Sequence, residues 1–177
     1  NILAVCSMSL ELGIETDTIK LALKEFEGVN RRFSLLHKYK GIKIFDDYGH
    51  HPVEIKATLA AAREITKSKL VAIIQPHRFS RLKLLFEDFT TAFNDADIVF
   101  ITEVYAAGEE ENNDFGKNNL ISSLVAAGHK DARPYDEIQL NLVIKNNLKE
   151  GDLIVFLGAG DISLQAKKFI EKNLKED

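Results

Sequence analysis

Two short polar stretches hold most of the residues in this chain that can do chemistry. The first, residues 46–51, reads Asp-Asp-Tyr-Gly-His-His and follows the mostly apolar run 42–45. The second, residues 75–81, reads Gln-Pro-His-Arg-Phe-Ser-Arg and follows the apolar run 70–74. Carboxylates, imidazoles and guanidinium groups bind hydroxyls, phosphates, carboxylates and metal ions, and imidazole also transfers protons near neutral pH. A binding or catalytic site is therefore expected where these two stretches come together.

The stretch 46–51 allows either a metal site or a binding role for its acid and imidazole groups. Imidazole and carboxylate oxygen both bind divalent cations. Adjacent histidines such as His50 and His51 rarely point at one ion, however, and no third ligand follows at a suitable spacing. No metal site is therefore predicted, and Asp47 and His50 are expected to bind a nucleotide ribose or a substrate. A solvated turn is the remaining alternative.

The second stretch carries a pair of arginines with the spacing of an anion clamp. Arg78 and Arg81 lie three residues apart at a predicted helix start, so both guanidinium groups can reach one face. Two such groups can hold a carboxylate or a phosphate. Solvated surface arginines are the alternative, but a position on the same sheet edge as Asp47 favours an anion site.

The residues around these stretches predict alternating strands and helices that bring both stretches to one edge of a sheet. Strands are predicted near residues 33–39, 42–47, 70–75, 97–102, 131–135 and 152–157, the first two as a hairpin. Helices are predicted at residues 52–66, 79–94, 117–127, 136–148 and 161–174, after a helical hairpin within residues 1–27. The predicted fold is α/β, a Rossmann-like, doubly wound and mostly parallel sheet of about six strands with helices on both faces. Ligands bind such sheets outside the carboxyl ends of the strands.

A glycine-containing turn follows the last predicted strand. Residues 157–162 read Leu-Gly-Ala-Gly-Asp-Ile, which partly matches a dinucleotide-binding fingerprint, but Ser163 occupies the third glycine position. Only one helix follows, and no second strand–helix–strand unit is left to complete a dinucleotide site. We therefore interpret the turn as a tight strand-to-helix connection that approaches a ligand. The chain also contains no G-x-x-x-x-G-K-[ST] phosphate loop.

Composition limits the class of protein and its partners. With 177 residues, 45% hydrophobic and 28% charged, the chain suits one globular domain. A net charge of -4 argues against a nucleic-acid or anionic membrane surface, and no apolar stretch approaches the ~20 residues that span a bilayer. The single cysteine, Cys6, is expected to be a small core residue in a reducing cytoplasm. Because the sequence begins at Asn1 within an apolar helical pattern, we expect a piece of a longer polypeptide.

Five motifs in this order resemble the Mur ligases: GVNRRF, DDYGHHPVEIKATLAAAR, QPHRFSR, EVYAAGEE and VFLGAGDI. The resemblance covers essentially the whole chain. It implies that residues 28–177 form the C-terminal domain, which binds the amino acid and closes over ATP. It also implies that residues 1–27 are the terminal helices of the central ATP-binding domain.

The family couples ATP cleavage to amide formation through an acyl phosphate, and the resemblance assigns roles to residues. Arg32 and His50 are the implied catalytic residues, with Arg32 near the transferring phosphate and Asp47 on the ATP ribose. The amino-acid pocket is implied at Tyr48, His50, His77, Arg78 and Arg81, with the two arginines on the carboxylate of the amino acid. Arg31 is expected to be a neighbour of Arg32 without a role of its own.

The resemblance also implies the substrates and partners. The arginine pair favours the family member that joins L-alanine to UDP-N-acetylmuramate, over the murein tripeptide recycling ligase with its similar histidine motif. The phosphate loop, the Mg²⁺ ligands and the UDP-binding domain are expected in missing N-terminal and central domains of the same cytoplasmic polypeptide. The fragment alone is expected to be inactive. A free-standing nucleotide- or anion-binding module without catalysis is the alternative from another class.

Overall fold

The computed structural model of the chain describes residues 2–26 and 28–174. One sheet contains six strands. They are β1 (Ser34–Tyr39), β2 (Ile42–Asp47), β3 (Leu70–Ile74), β4 (Ile98–Ile101), β5 (Ala132–Pro134) and β6 (Leu153–Leu157). The helices are α1 (Ile2–Glu11), α2 (Thr16–Glu25), α3 (Pro52–Ile65), α4 (Phe79–Leu84), α5 (Phe86–Thr90), α6 (Lys117–Ala126), α7 (Glu137–Asn147) and α8 (Ile162–Asn173). A short 3-10 turn lies at Asn113–Phe115.

The strand order is β1-β2-β6-β3-β4-β5. Strands β1 and β2 form the predicted antiparallel hairpin, and the turn between them uses Lys40 and Gly41, both with positive φ. Every other neighbouring pair is parallel. The last strand, β6, therefore lies between β2 and β3, and the carboxyl ends of these three strands share one edge. The predicted α/β fold is confirmed.

Two apolar cores, one on each face of the sheet, explain why the fold is doubly wound. Strands β3 and β6 are buried at every position, as expected of strands covered on both sides. On one face the sheet packs against residues of α3 to α6, which include Ile55, Leu59, Leu82, Phe89, Leu120 and Leu124. On the other face it packs against residues of α7 and α8, which include Leu140, Ile144, Ile162, Ala166 and Phe169. Residue alternation along each strand supplies both cores.

The prediction of a single helix over residues 79–94 is wrong. Leu85 leaves helical geometry, with φ -113° and ψ 22°, and divides the segment into α4 and α5. The two pieces pack on different neighbours, since α4 contacts the 3-10 turn and α5 contacts α6. The apolar spacing alone predicted one helix because Leu82, Phe89 and Phe93 still face the same core.

The predicted helical hairpin forms at the start of the chain, but it contributes no core. Neither α1 nor α2 holds a buried residue. Cys6 is half-buried, so its assignment to the core is wrong. The exposed apolar side chains of the hairpin include Ile2, Leu3, Val5, Met8, Leu10, Leu12, Leu21 and Phe26. Within residues 2–26 and 28–174, no helix is both long and apolar enough to cross a membrane.

Candidate active site

The two polar stretches and the glycine turn meet at the shared edge of β2, β6 and β3, as the sequence predicts. Asp47 and Ile74 both lie opposite Leu157 in the sheet register. Beyond the strands, the Gly158 N–H donates to the carbonyl oxygen of Asp47 at 3.1 Å, and the Gln75 N–H donates to that of Leu157 at 2.9 Å. The residues after each strand are therefore fixed next to one another.

Asp47 is the buried centre of the corner after β2, with 5% of its surface exposed. Its Oδ2 accepts the Phe33 N–H at 2.8 Å. Its Oδ1 accepts the Gly49 N–H at 2.7 Å and the Thr58 hydroxyl at 3.1 Å. A Cβ at Gly49 would lie 2.7 Å from the same Oδ1, so this position requires glycine. Of the roughly four acceptor positions of a carboxylate, three are occupied, which leaves one for a ligand hydroxyl.

His51 begins α3 and does not point into the site as a ligand. Its Nδ1 accepts the Val53 N–H at 3.3 Å, and Pro52 follows as the first helical residue. Glu54 completes the cap by accepting the N–H groups of His50 and His51 at 3.1 and 3.2 Å. The cap explains why two histidines stand side by side, since only one of them faces the site.

Glu54 is a residue that the sequence analysis missed. Burial alone would raise the pKa of Glu54, but the N–H groups of His50 and His51 and the nearby charges of His50 and Arg32 outweigh it and lower the pKa. The signal was available, because a Glu three residues after a cap position is typical of a capping box. Arg32 is half exposed, and its Nη1 lies 3.9 Å from Oε1 of Glu54.

Four aromatic rings form a row along the sheet edge. The centroids of Tyr48 and His50 are 5.4 Å apart and those of His50 and His77 are 5.6 Å apart. The His77 ring stacks on Tyr105 at 5.3 Å with an interplanar angle of 16°. The sequence analysis did not select Tyr105, whose backbone bonds to Pro76 and to Arg78 hold it beside His77.

The hydrogen bonds of the two imidazoles determine where their protons lie. Nδ1 of His50 is 2.9 Å from the carbonyl oxygen of Tyr48, which can only accept, so Nδ1 carries the proton and Nε2 of the neutral ring is an acceptor. Nδ1 of His77 faces Nη1 of Arg81 at 3.2 Å, so it accepts and Nε2 carries the proton. Burial, and then the charges of Arg81, His50 and Arg78, lower the pKa of His77.

The two arginines of the second stretch lie at the same edge but differ in their contacts. Arg81 is half-buried, and its Nη1 also donates to the carbonyl oxygen of His77 at 2.9 Å. Arg78 is exposed, has a φ of 71°, and donates its N–H to the carbonyl oxygen of Tyr105 at 2.8 Å. A positive φ is uncommon for a residue with a side chain, and it turns the chain sharply into α4.

The acidic loop before α6 contacts the start of α4. Glu109 accepts the Ser80 hydroxyl at 2.6 Å and the Ser80 N–H at 2.9 Å. These two bonds lower the pKa of Glu109 by more than burial raises it, and the charge of Arg78 lowers it further. The carboxylate of Glu109 therefore stays charged beside the arginine pair at neutral pH.

Arg31 is not the inert neighbour that the sequence analysis expected. Its Nη2 donates to the carbonyl oxygens of Gly158 at 2.6 Å and Gly160 at 3.3 Å, and its Nε lies 3.7 Å from Oδ2 of Asp46. Its guanidinium also lies over the Tyr48 ring, 4.9 Å from the centroid. The sequence offered one indirect signal, because a buried acid such as Asp46 needs a partner.

The glycine turn after β6 connects this strand tightly to α8, which is the structural part of the interpretation; the approach to a ligand stays a prediction. Ser163, at the position of a third fingerprint glycine, donates its hydroxyl to the buried Asp46. Gln75 ties the turn to β3, since its Nε2 donates to Asp161 at 2.6 Å and its Oε1 accepts the Ile162 N–H at 3.2 Å. A Cβ at Gly160 would lie 2.4 Å from Oε1 of Gln75, so the turn has no room for a side chain there.

No group of three or more His, Cys, Asp or Glu side chains within the described part of the chain is placed to hold a metal ion. The arrangement presents two imidazoles, two phenols and three cationic groups, Arg32, Arg78 and Arg81, at one polar edge.

Comparison with known proteins identifies the class to which this edge belongs. The family model described as "Mur ligase, glutamate ligase domain" matches residues 31–160. The chain therefore belongs to the Mur ligases, and the match covers the corner after β2, the arginine pair and most of the glycine turn.

Within the family, the chain is similar to several ligases of one kind. The UDP-N-acetylmuramate–L-alanine ligase of Bartonella henselae is 51% identical over 92% of this chain and 34% of that protein. The enzyme of the same name from Paracoccus denitrificans is 46% identical over 97% of this chain and 36% of that protein. The crystal structure of UDP-N-acetylmuramate-alanine ligase MurC from Thermotoga maritima has a TM-score of 0.75 and 34% identity, covering 97% of this chain and 36% of that one. The chain thus spans about a third of the length of these relatives, and its resemblance to their C-terminal domain is confirmed.

Proposed function

We propose that the chain is the amino-acid-binding part of an ATP-dependent ligase that joins L-alanine to the carboxylate of UDP-N-acetylmuramate, in cytoplasmic peptidoglycan synthesis. One observation carries the proposal. The row of aromatic rings at the sheet edge has Arg32 on one side and the arginine pair on the other. The chain that carries this arrangement is 51% and 46% identical to two UDP-N-acetylmuramate–L-alanine ligases. A reaction that transfers a phosphate to a carboxylate and then replaces it with the amine of an amino acid needs separate anion sites around a proton acceptor.

The arginine pair is the proposed site for the carboxylate of L-alanine. Arg81 is held by its bonds to His77, and Arg78 lies exposed beside it at the start of α4. Charge-assisted hydrogen bonds to a carboxylate are stronger than neutral ones, and two guanidinium groups fix its orientation as well. The lowered pKa of His77 keeps that ring neutral. The ring therefore lines the site as a polar group, and the two arginines supply the positive charge for the carboxylate.

His50 is the proposed proton acceptor for the amine. The attacking nitrogen must lose a proton from its ammonium form before or during attack on the activated carboxylate. Because His50 donates Nδ1–H to the carbonyl oxygen of Tyr48, the lone pair of the neutral ring at Nε2 is available on the other side. The half-buried ring lies between Tyr48 and His77, in the middle of the row.

Arg32 is the proposed contact for the transferring phosphate, because its charge is the least engaged in the corner. Half of its side chain is exposed, and its nearest carboxylate, that of Glu54, is 3.9 Å away. A cation placed where negative charge develops lowers the barrier of a phosphoryl transfer. We assign the ATP ribose to the one remaining acceptor position of Asp47, which restricts the contact to a single hydroxyl.

The rest of the machinery is assigned to the part of the ligase outside this chain. The described residues contain no cluster of three or more potential metal ligands, and we assign the Mg²⁺ ligands that the family resemblance implies, together with the phosphate loop, to the proposed N-terminal and central domains. We assign residues 1–27 to the end of the central domain and residues 28–177 to the C-terminal domain. The absence of buried residues in α1 and α2 supports this division, because their apolar side chains need a partner outside the sheet.

Two alternatives from the sequence are less well supported. The murein peptide ligase structure from Psychrobacter arcticus shares 23% identity with this chain, so that likeness supports the fold alone. A free-standing binding module does not account for the exposed apolar side chains of α1 and α2.

The choice of amine substrate tests this function in the full-length ligase that carries this sequence. Purified ligase, ATP, Mg²⁺ and UDP-N-acetylmuramate are combined with either L-alanine or the L-alanyl-γ-D-glutamyl-diaminopimelate tripeptide, and ADP release is measured. We expect release with L-alanine only. Release with the tripeptide only would assign the recycling reaction, and release with neither would contradict a ligase function. The isolated chain should release no ADP above background, because it lacks a phosphate loop.

A further inference from the structure

We propose that Arg31 is a positioning residue that acts through Tyr48 on Arg32. The inference rests on the proposed function, because Arg32 is there the contact for the transferring phosphate. Arg31 and Arg32 are adjacent in the sequence, yet both guanidinium groups lie over the same ring, that of Tyr48. Their distances to the Tyr48 centroid are 4.9 Å and 5.6 Å. The Tyr48 ring is therefore in contact with both Arg31, which is bonded within the protein, and Arg32, which is more exposed.

The two arginines differ in how their charge is used. Arg31 has 27% of its side chain exposed, faces the carboxylate of Asp46, which is 2% exposed, and donates to the Gly158 and Gly160 carbonyl oxygens. Arg32 is 50% exposed. Because the charge of Arg31 is balanced by Asp46 and by two backbone dipoles, Arg31 is not available to an external phosphate. It is anchored to the end of β2 and to the turn after β6 at once.

The backbone around Arg32 is fixed on both sides by bonds to the same corner. The Tyr48 N–H donates to the carbonyl oxygen of Arg31 at 2.7 Å, and the Phe33 N–H donates to Oδ2 of Asp47 at 2.8 Å. Arg31 and Phe33 both have positive φ, at 61° and 49°. Such conformations persist in residues with side chains only where surrounding contacts hold them. The side-chain bonds of Arg31 supply such contacts immediately before Arg32.

Lysine at position 31 separates the anchoring role from simple charge balance. Arg31→Lys keeps a positive charge beside the buried Asp46, so the corner does not retain an unpaired carboxylate. An ammonium group concentrates its charge and its donors on one nitrogen, so it cannot face Asp46, donate to the Gly158 and Gly160 carbonyl oxygens and lie over the Tyr48 ring at once, as the larger guanidinium does. The variant should therefore fold but hold Tyr48, and through it Arg32, less firmly.

The decisive experiment is a double-mutant cycle in the full-length ligase, with kcat measured at saturating L-alanine, ATP and UDP-N-acetylmuramate. We expect Arg31→Lys to lower kcat about tenfold and Arg32→Ala about a hundredfold, and the double variant to match Arg32→Ala alone. The KM for L-alanine in Arg31→Lys should stay within about twofold of wild type, because the arginine pair is untouched. A kcat of the double variant near the product of the two single effects, a loss of about a thousandfold, would overturn the proposal. An unchanged kcat in Arg31→Lys would overturn it as well.

A second cycle covers the case in which Arg31→Lys does not fold. Tyr48→Leu removes the shared ring without touching Asp46, and Tyr48→Phe keeps the ring. The proposal expects Tyr48→Leu to lower kcat and to be non-additive with Arg32→Ala, and Tyr48→Phe to lower kcat less than Tyr48→Leu does, because the ring under both guanidinium groups is kept. Additive losses would overturn it. Wild-type ligase without alanine-dependent ADP release would instead contradict the proposed function, so the two failures are distinguishable.

Discussion

The corner after β2 and the start of α4 lie at the same sheet edge, but they use their charges in opposite ways. In the first, the carboxylates of Asp46 and Asp47 are buried and bonded to donors of the protein itself. In the second, Arg78 is exposed, and Arg81 is bonded to one imidazole and one carbonyl oxygen. Buried charges that are bonded mainly within the protein maintain the fold, whereas charges left near solvent are available to a ligand. A polar motif therefore does not by itself say which of its residues bind substrate.

The largest effect is expected at Asp47, and it should be an effect on stability. Asp47→Ala leaves the N–H groups of Phe33 and Gly49 and the Thr58 hydroxyl without their acceptor. We expect the free energy of unfolding to fall by about 3 kcal/mol, since unpaired buried groups are costly. Urea unfolding of the isolated chain measures this. Asp95→Ala, at an exposed aspartate, is the matched control. A loss at Asp47 no greater than that at Asp95 would show that the corner is not held together by this carboxylate.

Arg32 should show the next largest effect, and on the rate rather than on stability. Arg32→Ala in the full-length ligase removes a cation that the fold scarcely uses, so the melting temperature should change little. The kcat at saturating L-alanine should fall by at least about a hundredfold, because charge at the reacting phosphate is no longer balanced. Lys56→Ala, which removes one exposed positive charge from α3, is the control. A normal kcat in Arg32→Ala would remove Arg32 from the proposed phosphate site.

Arg81 should affect the binding of one substrate. Arg81→Ala deletes a charge-assisted contact, so the KM for L-alanine should rise about tenfold to a hundredfold while the KM for ATP barely changes. Arg81→Lys should restore binding only in part, because an ammonium group lacks the planar two-point grip of a guanidinium. Initial rates at varied alanine and fixed ATP measure both variants. A raised KM for ATP with an unchanged KM for alanine would contradict the assignment of Arg81 to the alanine carboxylate and would favour a phosphate site there instead.

The smallest effect concerns His77 and pH. Burial and the charges of Arg81, His50 and Arg78 lower the pKa of His77 in the folded chain. Between that lowered pKa and the ordinary value near 6.5, the unfolded chain binds more protons, so stability rises with pH through this window and levels off above it. His77→Gln should flatten that part of the stability profile slightly. Thermal melts of both proteins from pH 5 to 8 test this, and identical slopes would contradict it.

The sheet was predictable because its signals are local. Residue type and spacing within a few positions predicted the buried strand β3 from its apolar run and the start of α3 from Pro52. The same local spacing predicted which side chains of the helices face the sheet. The corner residues were located correctly for the same reason, because carboxyl ends of parallel strands share an edge.

The contacts that were missed depend on residues far apart in the sequence. Arg31 bonds to Gly158 and Gly160, and no local pattern relates these positions. Tyr105 was missed because its place beside His77 depends on backbone bonds between two loops. The break at Leu85 depends on which neighbours α4 and α5 pack against, and Cys6 was misplaced because its apolar pattern reports a helix face without saying what covers it.

The position of β6 between β2 and β3 has a consequence for synthesis of the chain on the ribosome. Until residues 153–157 have emerged, the hairpin of β1 and β2 and the parallel unit of β3, β4 and β5 have no strand to join them. Pairings between strands far apart in the sequence are slow to form, and open strand edges promote aggregation. The edge to which we assign the ligands is thus completed only when β6 inserts, so a truncated or stalled product would expose two open sheet edges to chaperones and proteases.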